Sequence, residues 1–314
     1  MATFCSTLGL CGQSPQPGVE NMFFQPRPKI LEFSMMSLPQ LRDIQLNPSQ
    51  EITNNNLPRN NFMRAKINLP VLWREKFKMY ASLSYRRETL NLVTAENVPQ
   101  PQTLRFYHTD FNLRYQIDLQ DNQFLMGYVG AKLRSDRLDW QDISYIISMG
   151  WGKNISANKK FAVGFGVENA WGRMRFSPVL LYENRINEKW DLSLILPRRA
   201  KLSHYITPGF HLVAEAKGSS VIYRVDHYQL LPDYPVLEYR QRHVAFKIGV
   251  EKQIYDWFWL GAHAGVVAPL NSVLVAPGEA TRDHIFNFDP SADRFLMFSV
   301  FIVPPQKLFD KLTK

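Results

Sequence analysis

The sequence predicts an all-β chain folded as a single antiparallel transmembrane β-barrel of about 14 strands. Three observations carry that expectation. Apolar and polar residues alternate strictly over unusually long stretches. The connections between these stretches alternate between short and long. The composition is weakly hydrophilic, with a mean hydropathy of −0.25, yet 45% of the 314 residues are hydrophobic and 13% aromatic. A membrane barrel looks like this because half of every strand faces a polar interior.

The alternation is clearest over residues 238–270. Val244, Phe246, Ile248 and Val250 are apolar, while His243, Lys247, Gly249 and Glu251 fall between them. After a tight polar turn at Tyr255 and Asp256, Phe258, Leu260, Ala262, Ala264 and Val266 resume one apolar face, with Gly261, His263 and Gly265 opposite. Successive side chains of a strand point to opposite faces, so a period of two means β-structure. These runs reach ~14 residues, against about 5–6 in ordinary globular strands. No stretch approaches the ~18–20 consecutive apolar residues of a membrane-spanning helix.

Taken in order, residues 1–12 resemble the remnant of an export signal, with Cys5 and Cys11 the only cysteines; a tail, or a lipid anchor on Cys11, are the alternatives. A chain with no cysteine after Cys11 excludes a CxxC-type metal or redox site in its body. Residues 13–61 form a Pro-, Gln- and Asn-rich lead-in, with a candidate first strand at Leu31, Phe33 and Met35. The barrel is expected over 62–303, followed by a tail over 304–314. Ala65, Ile67 and Leu69 oppose Arg64, Lys66 and Asn68; Phe111, Leu113, Tyr115 and Ile117 oppose Asn112, Arg114, Gln116 and Asp118. Ile143, Tyr145, Ile147, Met149 and Trp151 oppose Ser144, Ser148, Gly150 and Gly152.

Short turns near Asp121, 154–158, 187–188, 207–208 and 255–256 alternate with long links at 93–103, 135–141, 169–175, 226–237 and 271–293. Outer-membrane barrels place short turns on the periplasmic side and long loops outside. The link at 197–200 is too short for the rule. Counting the first strand gives about 14 strands with both ends on the turn side, and the alternative is 12 if the first hairpin does not span. The tryptophans (73, 140, 151, 171, 190, 257 and 259) mostly sit at strand ends or beside turns, where a barrel keeps its aromatic girdles.

The stretch LILPRRAKLSHY, from Leu194 to Tyr205, together with Asn-Leu-Pro at 68–70, resembles an uncharacterised family of Bacteroidota outer-membrane β-barrel proteins, a porin-like domain of unknown function. The likeness extends from about residue 62 to 303 and rests on pattern. It implies a barrel in the outer membrane without an assigned activity or cofactor, and it carries over no catalytic residues. The chain departs from many barrels by extending beyond Phe301, where they end on an aromatic residue that the barrel-insertion machinery reads.

The formal net charge is +9. The inward basic set is Lys78, Arg86, Arg114, Arg134 and Lys247; the opposing acidic set is Asp118, Glu168, Glu215 and Glu251. Rings of Arg or Lys favour anions in a pore, so a weak anion preference is expected. His211 and Glu215 share a face, and His263 lies on a polar face nearby in the pattern. Such a cluster serves an enzyme only with a nucleophile beside the histidine, and lining the lumen as paired charge is the expected role. His108, His227 and His284 are expected at strand ends or loops, in solvent. The strand glycines 127, 130, 150, 152, 164 and 166 are expected to relieve crowding or permit curvature. Nucleic-acid binding fits poorly, since the basic residues alternate with apolar ones.

The sequence therefore predicts a non-enzymatic outer-membrane barrel of a Gram-negative bacterium, without cofactor or metal. It would act as a passive pore, a transporter or a structural envelope component. Its expected partners are outer-membrane lipid, small anionic solutes and the insertion machinery during assembly. The alternatives are a barrel enzyme acting on lipids and a soluble exported β-protein that binds an apolar ligand.

Overall fold

The structure is a computed structural model that describes residues 29–37, 61–74, 76–92, 102–136, 142–170, 173–225, 236–277, 279, 286–288 and 292–304. The signal-like start, most of the lead-in and the C-terminal tail lie outside the described residues, as do Cys5, Cys11, His227 and His284.

Fifteen strands occur in order among the described residues: β1 Leu31–Ser37, β2 Asn61–Trp73, β3 Phe77–Leu92, β4 Gln102–Asp118, β5 Gln123–Ser135, β6 Ile143–Ser156, β7 Lys159–Ala170, β8 Arg173–Asn187, β9 Trp190–Leu196, β10 Arg199–Thr207, β11 Phe210–Val225, β12 Leu237–Gln253, β13 Phe258–Val275, β14 Phe286–Phe288 and β15 Asp293–Ile302. Sequential neighbours pair antiparallel from β1 to β13; β15 pairs with β13 on one side and β1 on the other. The ring closes, and its wall has 14 strands. The three-residue β14 pairs only with the far end of β13. Closure matters physically because an open sheet would leave a row of unpaired backbone groups at each edge.

The candidate first strand proves to be the closing strand: Leu31 pairs with Ile302 and Ile67, and Ser37 with Leu296 and Asn61. The wall therefore includes residues 31–37, ahead of the expected start at 62. One end carries the short turns and the closing strand's beginning; it is called the turn end below. The other is the loop end.

Burial runs opposite to that of a water-soluble barrel. Outward residues are large, apolar and exposed, including Leu69, Leu83, Phe111, Val129, Ile147, Phe165, Ile248 and Phe298. Inward residues are polar and buried, including Lys66, Asp110, Asn112, Arg114, Lys132, Ser148 and Glu168. At the turn end Trp151, Trp190, Tyr255, Trp257 and Phe258 are exposed and form one aromatic girdle. Trp259 departs from that expectation. It points inward, buried, and stacks on Phe301 with ring centroids 6.0 Å apart, because its register places it on the His263 face.

Two glycines show why aromatic rings tolerate gaps here. A side chain at Gly127 would collide with the Tyr115 ring, which lies over it on the outer face; one at Gly152 would meet the Phe124 ring on the inner face. Phe124 belongs to an inward apolar patch with Met126, Tyr128, Ile146, Val179, Leu181 and Ile195. The lumen of β5–β9 is thus partly oily, which the period-two reading of β5 alone would not suggest.

Candidate functional site

The lumen is the candidate site, and its geometry follows from strand register. Hydrogen-bonded partners share a face, so inward positions line up in rows across the wall. One row joins Arg64, Arg86, His108 and Arg134 across β2–β5. The next joins Lys66, Ser84, Asp110, Lys132 and Ser144 across β2–β6. A band of cations is therefore held against a band containing a carboxylate.

The side chains interlock accordingly. Lys132, with no exposed surface, donates to Glu168 Oε1 at 2.7 Å, and Arg134 Nη1 lies 3.9 Å from the same oxygen. His108 Nε2 is 2.7 Å from Asp110 Oδ1 and 3.0 Å from Arg134 Nε. Arg114 donates to Asn68 at 3.2 Å, and the Tyr128 hydroxyl donates to Asn112. Nearer the turn end Lys78 donates to Asp118 at 2.7 Å. Buried charges need such partners, since an unpaired ion withdrawn from water costs several kcal/mol.

A second cluster sits at the turn end. Glu251 accepts from Lys29 at 2.8 Å and lies 3.0 Å from His211 Nε2; His263 Nε2 is 3.8 Å away. Trp259 packs on His211 and the Lys29 ammonium lies 3.5 Å above the Phe301 ring. Ser299 belongs to the same inward face, but neither its hydroxyl nor either ring nitrogen of His263 has a hydrogen-bond partner. A serine nucleophile needs its base within hydrogen-bond reach, and that link is not formed.

The loop end is crossed by protein. Beyond Lys217, β11 no longer pairs with β10, and its end turns across the mouth to meet β5: Arg224 bridges to Ser135, and the amide of Asp136 donates to the Arg224 carbonyl at 3.2 Å. Tyr223 stacks on Phe106 of β4 with centroids 4.4 Å apart, and Tyr239 of β12, stacked beside Tyr223 at 6.4 Å, lies 5.6 Å from the same Phe106 ring. The Tyr223 hydroxyl donates to Glu88 at 2.8 Å, and Arg86 donates to the same oxygen at 2.6 Å. Arg224 also reaches Asp142 at 3.0 Å. Strands β3, β4, β5, β11 and β12 thus meet in one aromatic and ionic bar over the lumen.

No family model matches the sequence, and no curated protein matches it. Among solved structures, the toluene transporter TodX of Pseudomonas putida aligns with a TM-score of 0.41 and 8% identity, covering 89% of this chain and 90% of its own. The NanC porin gives 0.38 and 9%, covering 87% and 98%; outer membrane phospholipase A of Escherichia coli gives 0.35 and 10%, covering 89% and 94%. These are similarities of outline. The fold of this chain rests on its own strand pairing.

All of the sequence-derived lumen candidates are placed on inward faces: Lys78, Arg86, Arg114, Asp118, Arg134 and Glu168 in the β3–β7 sector, and His211, Glu215, Lys247, Glu251 and His263 in the β11–β13 sector. They do not form one ring. Arg86 belongs to the mouth, Arg134 and Glu168 to the network just beneath it, and His211, Glu251 and His263 to the turn end; Lys247 and Glu215 pair at 3.8 Å. His108 is a correction. It is buried in mid-strand, because β4 already begins at Gln102, and its inward register brings it to Asp110. Lys132, Asp110, Lys29 and Tyr223 were missed. The row positions of Lys132 and Asp110 follow from the alternation around Leu133 and Phe111 alone. Nothing local in the sequence signals Tyr223 crossing the mouth.

Proposed function

We propose that the chain is an outer-membrane β-barrel of a Gram-negative bacterium that passes small anionic solutes through a constricted lumen and performs no chemistry on them. The observation that carries the reading is the inverted burial of a closed wall, exposed Ile147, Val129 and Phe165 outside against Lys132, Arg134 and Glu168 inside. Exposed apolar belts on closed barrels suit hydrocarbon, where every backbone group must be paired within the protein. An even strand number with the first and last strands meeting at the turn end, and a turn-end girdle of aromatics, support the same placement. A water-soluble barrel would bury the other face.

The cation row of Arg64, Arg86 and Arg134 supports anion preference, since fixed cations along a pore lower the barrier for anions. The bar crosses the mouth of the lumen, which favours a narrow, selective path over free diffusion. The unlinked Ser299 and His263 weigh against an enzyme. The resemblance of the 194–205 and 68–70 segments to the Bacteroidota barrel family belongs to this proposal as well.

The test is detergent extraction of the membrane fraction, comparison of unheated and boiled samples on a gel, and reconstitution in planar bilayers. The expected result is a heat-dependent mobility shift and a small, anion-preferring conductance. Cation preference would overturn the solute class; recovery in the soluble fraction without a shift would overturn the membrane reading.

A further inference from the structure

One part of the wall is incomplete. Hairpin β9–β10 has strands of 7 and 9 residues joined by the two-residue turn Pro197–Arg198, where its neighbours β8 and β11 have 15 and 16. At 3.4 Å per residue and a tilt of about 40°, β9 rises roughly 18 Å, short of an apolar belt about 25 Å tall. Pairing between β8 and β9 stops at Leu180 with Leu196, and between β10 and β11 at Arg199 with Lys217. Above that level β8 and β11 face each other across the space of two strands, about 14 Å at usual strand spacing. No described strand fills it. The end of β11 widens it by turning away across the mouth toward β5.

The two sides of this notch differ in chemistry. On β8 the outward residues are Met174 and Phe176, the latter 73% exposed, followed by Pro178. On β11 the side is Gly218, Ser219 and Ser220, half-buried, and the Gly218 amide donates to the Arg198 carbonyl at 2.8 Å. The floor is rich in cations, with the Glu215 carboxylate among them. Arg198 and Arg199 are buried at the hairpin tip, and Lys217 pairs with Arg199 in register. Arg175, on the inward face of β8, comes within electrostatic reach of Arg240 and Arg242 of β12, with Glu168 and Glu238 as the nearby acids.

Directly below the hairpin tip, the outer face holds a depression of about 840 Å³. Its lining includes the small residues Ala200, Ala214, Ala216 and Ala264 together with the larger Leu202, Phe246 and Ile248. Ala200 and Ala216 are register partners one step from Arg199 and Lys217, so an apolar trough leads up to a basic opening.

We infer that the notch is a lateral portal for an anionic amphiphile, whose acyl chain lies in the alanine-lined trough and whose phosphate or carboxylate head enters between β8 and β11 to meet Arg198, Arg199 and Lys217. Charge complementarity selects the head, and the trough selects the tail; a free anion satisfies only the first and a neutral lipid only the second. The portal rests on the membrane-barrel reading above and names the class of cargo for it. It also accounts for a lumen barred along its axis yet open at its side.

The probe is dodecyl phosphate, titrated into the full chain in a neutral detergent and compared with dodecyl maltoside and inorganic phosphate. Dodecyl phosphate is expected to bind at least about tenfold more tightly than either. The double variant R198Q/R199Q and the trough-filling A216W are each expected to weaken it by about tenfold or more, with the heat-dependent gel shift retained in each. A second pair, K217Q and A264L, serves if either of the first loses the shift. Equal binding of dodecyl maltoside, or inorganic phosphate competing as well as dodecyl phosphate with A216W silent, would overturn the portal. A retained gel shift with no dodecyl phosphate selectivity overturns the portal alone, whereas a soluble, shift-free chain overturns the barrel reading itself.

Discussion

The wall from β2 to β7 and the wall from β8 to β11 solve the same problem differently. In the first, strands of 12 to 17 residues pair along nearly their whole length, and inward charges knit into rows with Lys132 and Glu168 at the centre. In the second, two short strands interrupt the wall, cations gather at the tip, and β11 leaves its place to cross the mouth. The first sector is a scaffold whose inward charges pair largely with one another. The second gathers cations where the strand pairing of the wall stops. The irregularity falls where strand length changes, at β9 and β10.

The largest expected effect lies in the scaffold. Lys132→Ala removes the hydrogen-bonded cation from buried Glu168, leaving Arg134 at 3.9 Å, and should cost about 3 kcal/mol, read as a lower unfolding midpoint in urea with the barrel in detergent. Replacing both, Lys132→Met with Glu168→Leu, should return most of that loss, since an apolar pair of similar size needs no partner. If the single variant is as stable as the parent, the scaffold is not held by this pair and the contrast fails.

Next in size is the belt. Ile147, 60% exposed on β6, stands for the regular wall; Ile147→Arg should cost roughly 2–4 kcal/mol in lipid bilayers, as cations do near the midplane of a barrel's outer face. The same variant in a soluble chain would be nearly neutral. Folding yields into vesicles, compared across urea concentrations, separate these outcomes.

The mouth comes third. Tyr223→Phe keeps the stack on Phe106 but removes the hydroxyl that donates to Glu88, and should cost about 1 kcal/mol. Tyr223→Ala removes the stack too, and should raise single-channel conductance well above that of Tyr223→Phe. Equal conductance in both would mean that the aromatic bar does not limit the path.

Much of this was legible beforehand, for a physical reason. Period two is imposed by the backbone, so the outward set around Ile147 and the inward set around Arg114 could be read residue by residue. Strand number followed from turns such as those at Asp121 and Tyr255, whose chemistry is local. Partner choice was not legible, because Lys132 and Glu168 meet only after β5, β6 and β7 fix their registers. His108 was misplaced since nothing local shows that β4 extends to Gln102. The short link at 197–200 was visible, but only as an exception to loop alternation. Its meaning as a gap depends on how far β8 and β11 run past it, and the crossing of β11 depends on Phe106 and Ser135, far away in sequence.

The smallest expected effect tests the notch most directly against the regular wall. Phe176→Arg places the same charge on the outer face as Ile147→Arg, at a position even more exposed. In the unbroken wall the guanidinium has only hydrocarbon around it. Beside the notch it can bend around the unpaired edge of β8 toward the lumen, as long cationic side chains do when a polar region is within reach. The cost should therefore fall below about 1 kcal/mol, several-fold less than the belt value for the same residue. Measured in the same vesicles, equal penalties at 147 and 176 would mean that β8 is sealed against lipid along its full length and that no side opening exists. A small penalty at 176 and a large one at 147 would place the opening at the depth of the bilayer, where a lipid-borne cargo could reach it.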